Sequence, residues 1–210
     1  MAEQNINANA AGFKEAVCID AGRVYDSCSD KDCLEDLQVY FTAAEQAKID
    51  RALTVKAKSV EVLNVCLEVE PIPFNRGFYS VDMTFYFLVN LSAYYTPVST
   101  ADSVSGVAFF SKKVILYGSE GNVKVFNSET CDSVGRTTDT PRAVVQVVSP
   151  IVLNSRIAEN NCCDCCDCCE INLPASVSCL FDGDFVTSGN RRVLTTLGLF
   201  TIVQLERRVQ

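Results

Sequence analysis

Residues 78–93 read FYSVDMTFYFLVNLSA, and the apolar residues recur at every second position. Tyr79, Val81, Met83, Phe85, Phe87, Val89 and Leu91 fall on one side of an extended chain. Ser80, Asp82, Thr84, Asn90 and Ser92 fall on the other, with Tyr86 and Leu88 as apolar exceptions. A period of two is that of a β-strand with one face in a core. A helix would scatter the same residues around its circumference. The run is longer than a usual strand of about five or six residues, so the sheet it belongs to is long.

Outward from this run, Ser59–Glu70 alternates as well. Val65, Leu67 and Val69 oppose Asn64, Cys66, Glu68 and Glu70, whereas Val60 and Val62 lie in the other phase. That change of phase predicts a bulge near Val62–Leu63. Pro71, Pro73 and Gly77 mark the connection between the two strands. Further strands are predicted at Ser105–Tyr117 and Asn122–Phe126, joined by a hairpin turn at GSEGN, Gly118–Asn122. Asn127–Pro141 is polar and turn-rich. Arg142–Arg156 is an apolar run that Pro150 interrupts, which places a strand edge or end there. Ala175–Phe185 and Arg192–Arg207 complete the strands; the last keeps Val193, Leu197, Leu199, Val203 and Leu205 on one face.

Helix is scarce. Asp30–Tyr40 has room for a short turn. Thr42–Arg51 is the best candidate, with Thr42 as N-cap and Glu45 three residues later in a capping box. The balance of elements predicts a mostly β protein, an antiparallel, jelly-roll-like β-sandwich with one or two short helices. Residues 1–12 read as a flexible N-terminal arm, suited to adding a strand to a neighbour. Residues 13–210 read as a single β-rich domain with a Cys-rich loop at 160–172.

Composition narrows the function. With 18 basic and 26 acidic side chains, the formal net charge is 18 − 26 = −8, and no basic block stands out. Nucleic-acid binding rests largely on Lys and Arg neutralising phosphates, so nucleic acid is not an expected partner. No stretch of about 18 uninterrupted apolar residues occurs, so no membrane partner is expected. The N-terminus lacks the cationic start and apolar core of a signal peptide, which predicts synthesis in the cytosol. There is no His, which removes the commonest general base and metal ligand.

The 12 Cys are the distinctive chemistry. Asn160–Glu170 reads NNCCDCCDCCE, so Cys162, Cys163, Cys165, Cys166, Cys168 and Cys169 form three adjacent pairs around Asp164 and Asp167. Overlapping CxxC spacings let two thiolates reach one metal, and a reducing cytosol would favour zinc or copper(I). The absence of a second distant CxxC weakens that reading. Adjacent cysteines are poorly placed to bond each other, but they are free to bond another segment or chain. A low-complexity loop of reduced thiols is the third reading. Cys131, in a polar loop, and the early cluster Cys18, Cys28 and Cys33 are further cross-linking candidates. Cys66 and Cys179 lie in strand-like contexts and are expected to pack as small apolar residues.

Catalysis finds little support. Cys28-Ser-Asp30-Lys-Asp32-Cys33 sets carboxylates beside thiols, Asp182 and Asp184 flank a predicted turn at Gly183, and Glu68, Glu70 and Asp82 share a polar sheet face. Each is explained by a solvated loop, turn or face, and nucleophilic Cys or Ser chemistry normally needs an activating base. No phosphate-binding, dinucleotide or zinc-hydrolase motif occurs. The protein is expected not to be an enzyme and to have no cofactor. Tyr79, Tyr86, Tyr94 and Tyr95 offer an aromatic platform for a ligand, which core or interface packing explains more simply.

Three strings carry a resemblance: EAVCIDAGRVYDSCSDKDCLEDLQVYF (15–41), EPIPFNRGFYSVDMTFYF (70–87) and FSKKVILYGSEGNVKVF (110–126). Together they resemble a cysteine-containing family without assigned activity from clostridia-type, spore-forming Firmicutes, over nearly the whole chain from Lys14 onward. The resemblance implies a context of leaderless coat or appendage components, released when the mother cell lyses. The expected function is therefore a non-enzymatic structural protein that self-assembles as a homo-oligomer or polymer, at the spore surface or outside the cell, cross-linked through cysteines. The alternative is a metal-binding or redox-responsive module using the six loop cysteines.

Overall fold

The computed structural model describes Ile19 and residues 21–97, 100–120, 140–159, 173–187 and 189–209. Five strands are long: β1 (Ala21–Val39), β3 (Thr54–Pro71), β4 (Phe78–Tyr94), β5 (Asp102–Tyr117) and β9 (Arg191–Val209). The shorter elements are β2 (Phe41–Thr42), α1 (Ala43–Ile49), β6 (Arg142–Val147), β7 (Ile151–Glu159), α2 (Ala175–Ser178) and β8 (Phe185–Val186). One sheet is the antiparallel meander β3–β4–β5. The other is centred on β9, with β1 on one side and β6 and β7 on the other, all antiparallel. β2 and β8 form a separate two-stranded sheet. The architecture is the antiparallel β-sandwich with short helices that the period-two pattern predicts.

The predicted faces are the observed ones. Val81, Met83, Phe85, Phe87, Val89 and Leu91 of β4 are buried. They share one cluster with Val193, Leu197, Leu199, Val203 and Leu205 of β9. Each central strand turns its odd-numbered residues inward, and this apolar area, withdrawn from water, is what holds the two sheets together. Thr195 and Thr201 also lie on the inner face of β9. Thr195 donates to the Asn154 carbonyl at 3.1 Å, so its buried hydroxyl is satisfied.

The pairing of β3 with β4 shifts register between Val62 and Asn64, at the predicted bulge, and a second time between Ala57 and Ser59. Pro150 has the predicted effect. β6 pairs with Thr201–Glu206 and β7 with Arg191–Gly198. Between them the Val148 N–H still donates to the Phe200 carbonyl at 3.1 Å. The two are one strand broken where proline lacks a ladder donor.

Three expectations are corrected. Asp30–Tyr40 is not a turn region; it is strand through Val39. The inward positions in the first half of β1 carry Asp26, Cys28, Asp30 and Asp32, opposite Leu205, Val203, Thr201 and Leu199, and acids on a core face hide the usual pattern. Ala175–Phe185 is not one strand. Pro174 precedes the short helix α2, a turn follows with Gly183 at φ +98°, and only Phe185–Val186 pairs as strand. Finally, Thr42 is the N-cap residue of α1 but its side chain makes no capping bond. The helix is held by packing instead, with Ile49 and Gln46 buried.

The mixed outer face of β4 is partly covered by the chain itself. Tyr86, Val107 and Val177 form a second buried cluster, with Leu63, Leu173, Phe181 and Phe185 packed around it. Gly106 allows the neighbouring close approach. A Cβ there would stand 2.7 Å from the Phe41 ring and from the Tyr40 carbonyl oxygen. The space admits the bridge in which Tyr40 and Val107 exchange backbone hydrogen bonds at 2.7 and 2.8 Å. At this end of the sandwich, Gln46 donates to Asp50 and to the Arg191 carbonyl, both at 2.8 Å. The Arg191 guanidinium donates to the Ala52 carbonyl.

Candidate cross-linking and assembly sites

The register of β1 on β9 decides which thiols face outward. Pairing is unbroken from Asp26 opposite Leu205 to Leu34 opposite Leu197. Cys28 lies opposite Val203 on the inner face, and Cys33 lies opposite Gly198 on the outer face. Cys33 is exposed, whereas Cys28 is half-buried. Burial pushes the Cys28 thiol pKa up; Lys112 opposes the shift, and Asp30 and Asp26 add to it. Both burial and the raised pKa lower the reactivity of Cys28.

Cys66 and Cys179 do not pack as apolar residues; both are exposed. Cys66 lies opposite Thr84 on the outer face of the β3–β4–β5 sheet. Cys179 follows α2 rather than sitting in a strand. Cys33 and Cys66 therefore stand on the two opposite outer faces of the sandwich. Cys18, Cys131 and the loop cysteines Cys162, Cys163, Cys165, Cys166, Cys168 and Cys169 lie outside the described residues, as do the arm at 1–12 and the strand expected at Asn122–Phe126. The loop is entered from Glu159, paired with Arg191, and left at Leu173 beside the second cluster. Among the described residues, no three His, Cys, Asp or Glu side chains are grouped to hold a metal.

Thiol labelling checks this placement. With a neutral alkylating reagent at pH 8, Cys33 and Cys66 are expected to react first, and Cys28 at least about tenfold more slowly. The Cys28 rate should keep climbing above the pH where an ordinary thiol is already ionised, because its raised pKa delays thiolate formation. Peptide mapping by mass spectrometry reads the order; equal rates at all three would show the β1 register to be wrong.

Two features not apparent from the sequence organise the rest of the surface. The first is Lys112 of β5, which turns inward at the sandwich edge with 11% of its side chain exposed. Its Nζ donates to Asp32 Oδ2 at 2.6 Å and to Thr201 Oγ1 at 2.9 Å, and lies 3.5 Å from Asp30 Oδ2. The Tyr117 N–H donates to Asp26 Oδ2 at 2.9 Å. Inward charges on the adjoining edges of β1 and β5 guard against strand addition there. The signal in the sequence was that Lys112 shares a phase with Phe110, Val114 and Leu116.

The second is exposed apolar surface. Val148, Ile151 and Leu153 are exposed beside β9. Val148, Ile151, Cys33 and Phe200 line a shallow hollow of about 320 Å³. On the other sheet, Phe78 and Tyr117 stack edge-to-face at 5.3 Å, with Ile115 and Phe74 also exposed. Isolated exposed apolar residues are ordinary, whereas several on each broad face make both faces candidates for contact.

The expected acidic face is present, since Glu68 lies directly opposite Asp82, and Lys113 bridges Asp82 at 3.0 Å. These two acids line a hollow of about 350 Å³ with Cys66 and Tyr86. The tyrosines do not form one platform, because Tyr79 and Tyr86 are on opposite faces of β4, and Tyr79 belongs to the main core. No family model, no curated protein and no solved structure matches the chain.

Proposed function

We propose that the protein is a non-enzymatic structural subunit that self-assembles into a higher-order bacterial structure, cross-linked through cysteines. The observation that carries this reading is reachable sulfur on both broad faces of one slab, Cys33 on one and Cys66 on the other. A subunit with fasteners on two faces can be linked on both sides, so cross-linking extends beyond a pair. Apolar side chains beside Cys33 supply non-covalent contact area. The six cysteines of 162–169 add further thiols in a segment of low complexity. Disulfides need an oxidising environment, which fits the spore-surface or appendage setting implied by the family resemblance, reached after synthesis in the cytosol.

The overlapping CxxC spacings favour a second reading, a metal-binding or redox-responsive module in which the same six cysteines hold zinc or copper(I).

One experiment separates them. Air-exposed protein on a non-reducing gel is expected to form a ladder of multimers that collapses with a thiol reductant. Replacing all six loop cysteines by Ser should shorten the ladder. A monomer band under oxidising conditions, with stoichiometric metal lost on the same replacement, would favour the metal module.

A further inference from the structure

The β3–β4 connection contains a residue that the turn itself disfavours. The Asn75 N–H donates to the Ile72 carbonyl at 3.3 Å, closing a β-turn with Pro73 and Phe74 at its centre. Phe74 has φ +64°. A turn with Pro at the first central position and positive φ at the second is type II, and its second position favours Gly or Asn. A bulky aromatic there is a strained outlier, and such strain points to function. The ring makes no compensating core contact, because Phe74 is fully exposed.

The opposite end of the same hairpin carries a hollow. Thr54 pairs with Tyr94 at one end of β3–β4, and Pro71 pairs with Tyr79 at the other. The 18-residue β3 separates the two ends by roughly 55–60 Å. Leu53, Thr54, Lys56, Tyr94 and Pro97 border the hollow, whose volume is about 330 Å³. Leu53 is largely exposed. An apolar cavity of about 150 Å³ already holds benzene, so a phenyl ring has room.

Charge follows the same polarity. Lys56 and Glu70 both point outward from β3, Lys56 beside the hollow and Glu70 at the foot of the turn. Two copies stacked along the strand axis would set Glu70 of one towards Lys56 of the next. We infer that the molecule joins a second copy head to tail, Phe74 of one entering the Leu53–Tyr94–Pro97 hollow of the other. A knob and a hole at opposite ends of one chain make a heterologous contact, which repeats into a filament or closes into a ring. This inference rests on the self-assembling reading above and names its longitudinal contact.

The test uses the full chain, kept reduced so that disulfides do not contribute, in a concentration series followed by sedimentation velocity. Phe74→Gly is expected to raise the concentration for half-assembly by at least about tenfold. It should also leave the monomer as stable as the parent or more so, because Gly relaxes the turn. Glu70→Lys should weaken association, and adding Lys56→Glu should restore it. If the parent assembles and Phe74→Gly assembles equally well, the head-to-tail contact is wrong while the assembly reading stands. The contact is equally wrong, and the assembly reading equally intact, if the parent is monomeric when reduced and multimeric only when oxidised. A parent that is monomeric under both conditions overturns the contact and the assembly reading together.

Discussion

Phe85→Ala is expected to lower the unfolding free energy by about 3–5 kcal/mol. Phe85 is fully buried on the central strand β4. It stands opposite Val65 on β3 and Phe110 on β5, and stacks parallel to Phe87 with ring centres 6.3 Å apart. Removing the ring costs its transfer free energy and leaves a void that three neighbouring strands are too rigid to fill. For a chain of this size, the melting temperature should fall by roughly 6–20 °C. Urea denaturation gives the number directly. A midpoint within experimental error of the parent would mean that the face read from residues 78–93 is not the core face.

The second large effect concerns charge. Lys112→Met is expected to destabilise by about 2–4 kcal/mol, somewhat below the cost of breaking a fully buried pair because some water reaches it. The loss arises less from the missing bond than from what is left, since Asp32 and Asp30 then face the inter-sheet edge without the Lys112 cation. Adding Asp32→Leu should recover most of the loss, because an apolar pair of similar volume avoids desolvating two charges. A double-mutant cycle in denaturant measures the coupling. Additive losses would show that Lys112 and Asp32 do not act as a pair.

The same cluster explains why parts of the fold were harder to read. β4 and β9 were legible because a half-buried strand places apolar residues at every second position, and Phe85, Val89, Leu197 and Val203 obey that rule. The bulge at Leu63 and the break at Pro150 were legible because each leaves a local mark, a phase change or a missing donor. β1 was not, because Asp26, Asp30 and Asp32 occupy inward positions whose partners come from β5, some 80 to 90 residues later: Lys112 for Asp30 and Asp32, and the Tyr117 N–H for Asp26. Pairings of that span leave no local trace. The segment around α2 carries a strand-like pattern, because Val177, Phe181 and Phe185 share one odd-numbered phase. They instead pack on Tyr86 and Val107 through a helical turn and a Gly183 bend.

The candidate sites divide in the same way. Cys66 shares its phase with Asn64, Glu68 and Glu70, so its exposure was already written in the alternation. Its packing as an apolar residue was the wrong inference from that pattern. The outward turn of Cys33 depends on the β1–β9 register, and so could be known only with the sheet. Phe74 left a readable signal, an aromatic after Pro73 in a turn that favours Gly, but its meaning depends on a hollow at the far end of the hairpin.

The central claim is that copies of this chain hold one another and that sulfur fastens them. The most direct measurement is electron microscopy of the purified, air-exposed full chain, with free thiols counted on the same sample. Extended filaments or lattices, with most of the 12 thiols consumed and disassembly on reduction, are the predicted result. Dispersed single particles of 23.0 kDa that keep every thiol free after exposure to air would contradict it.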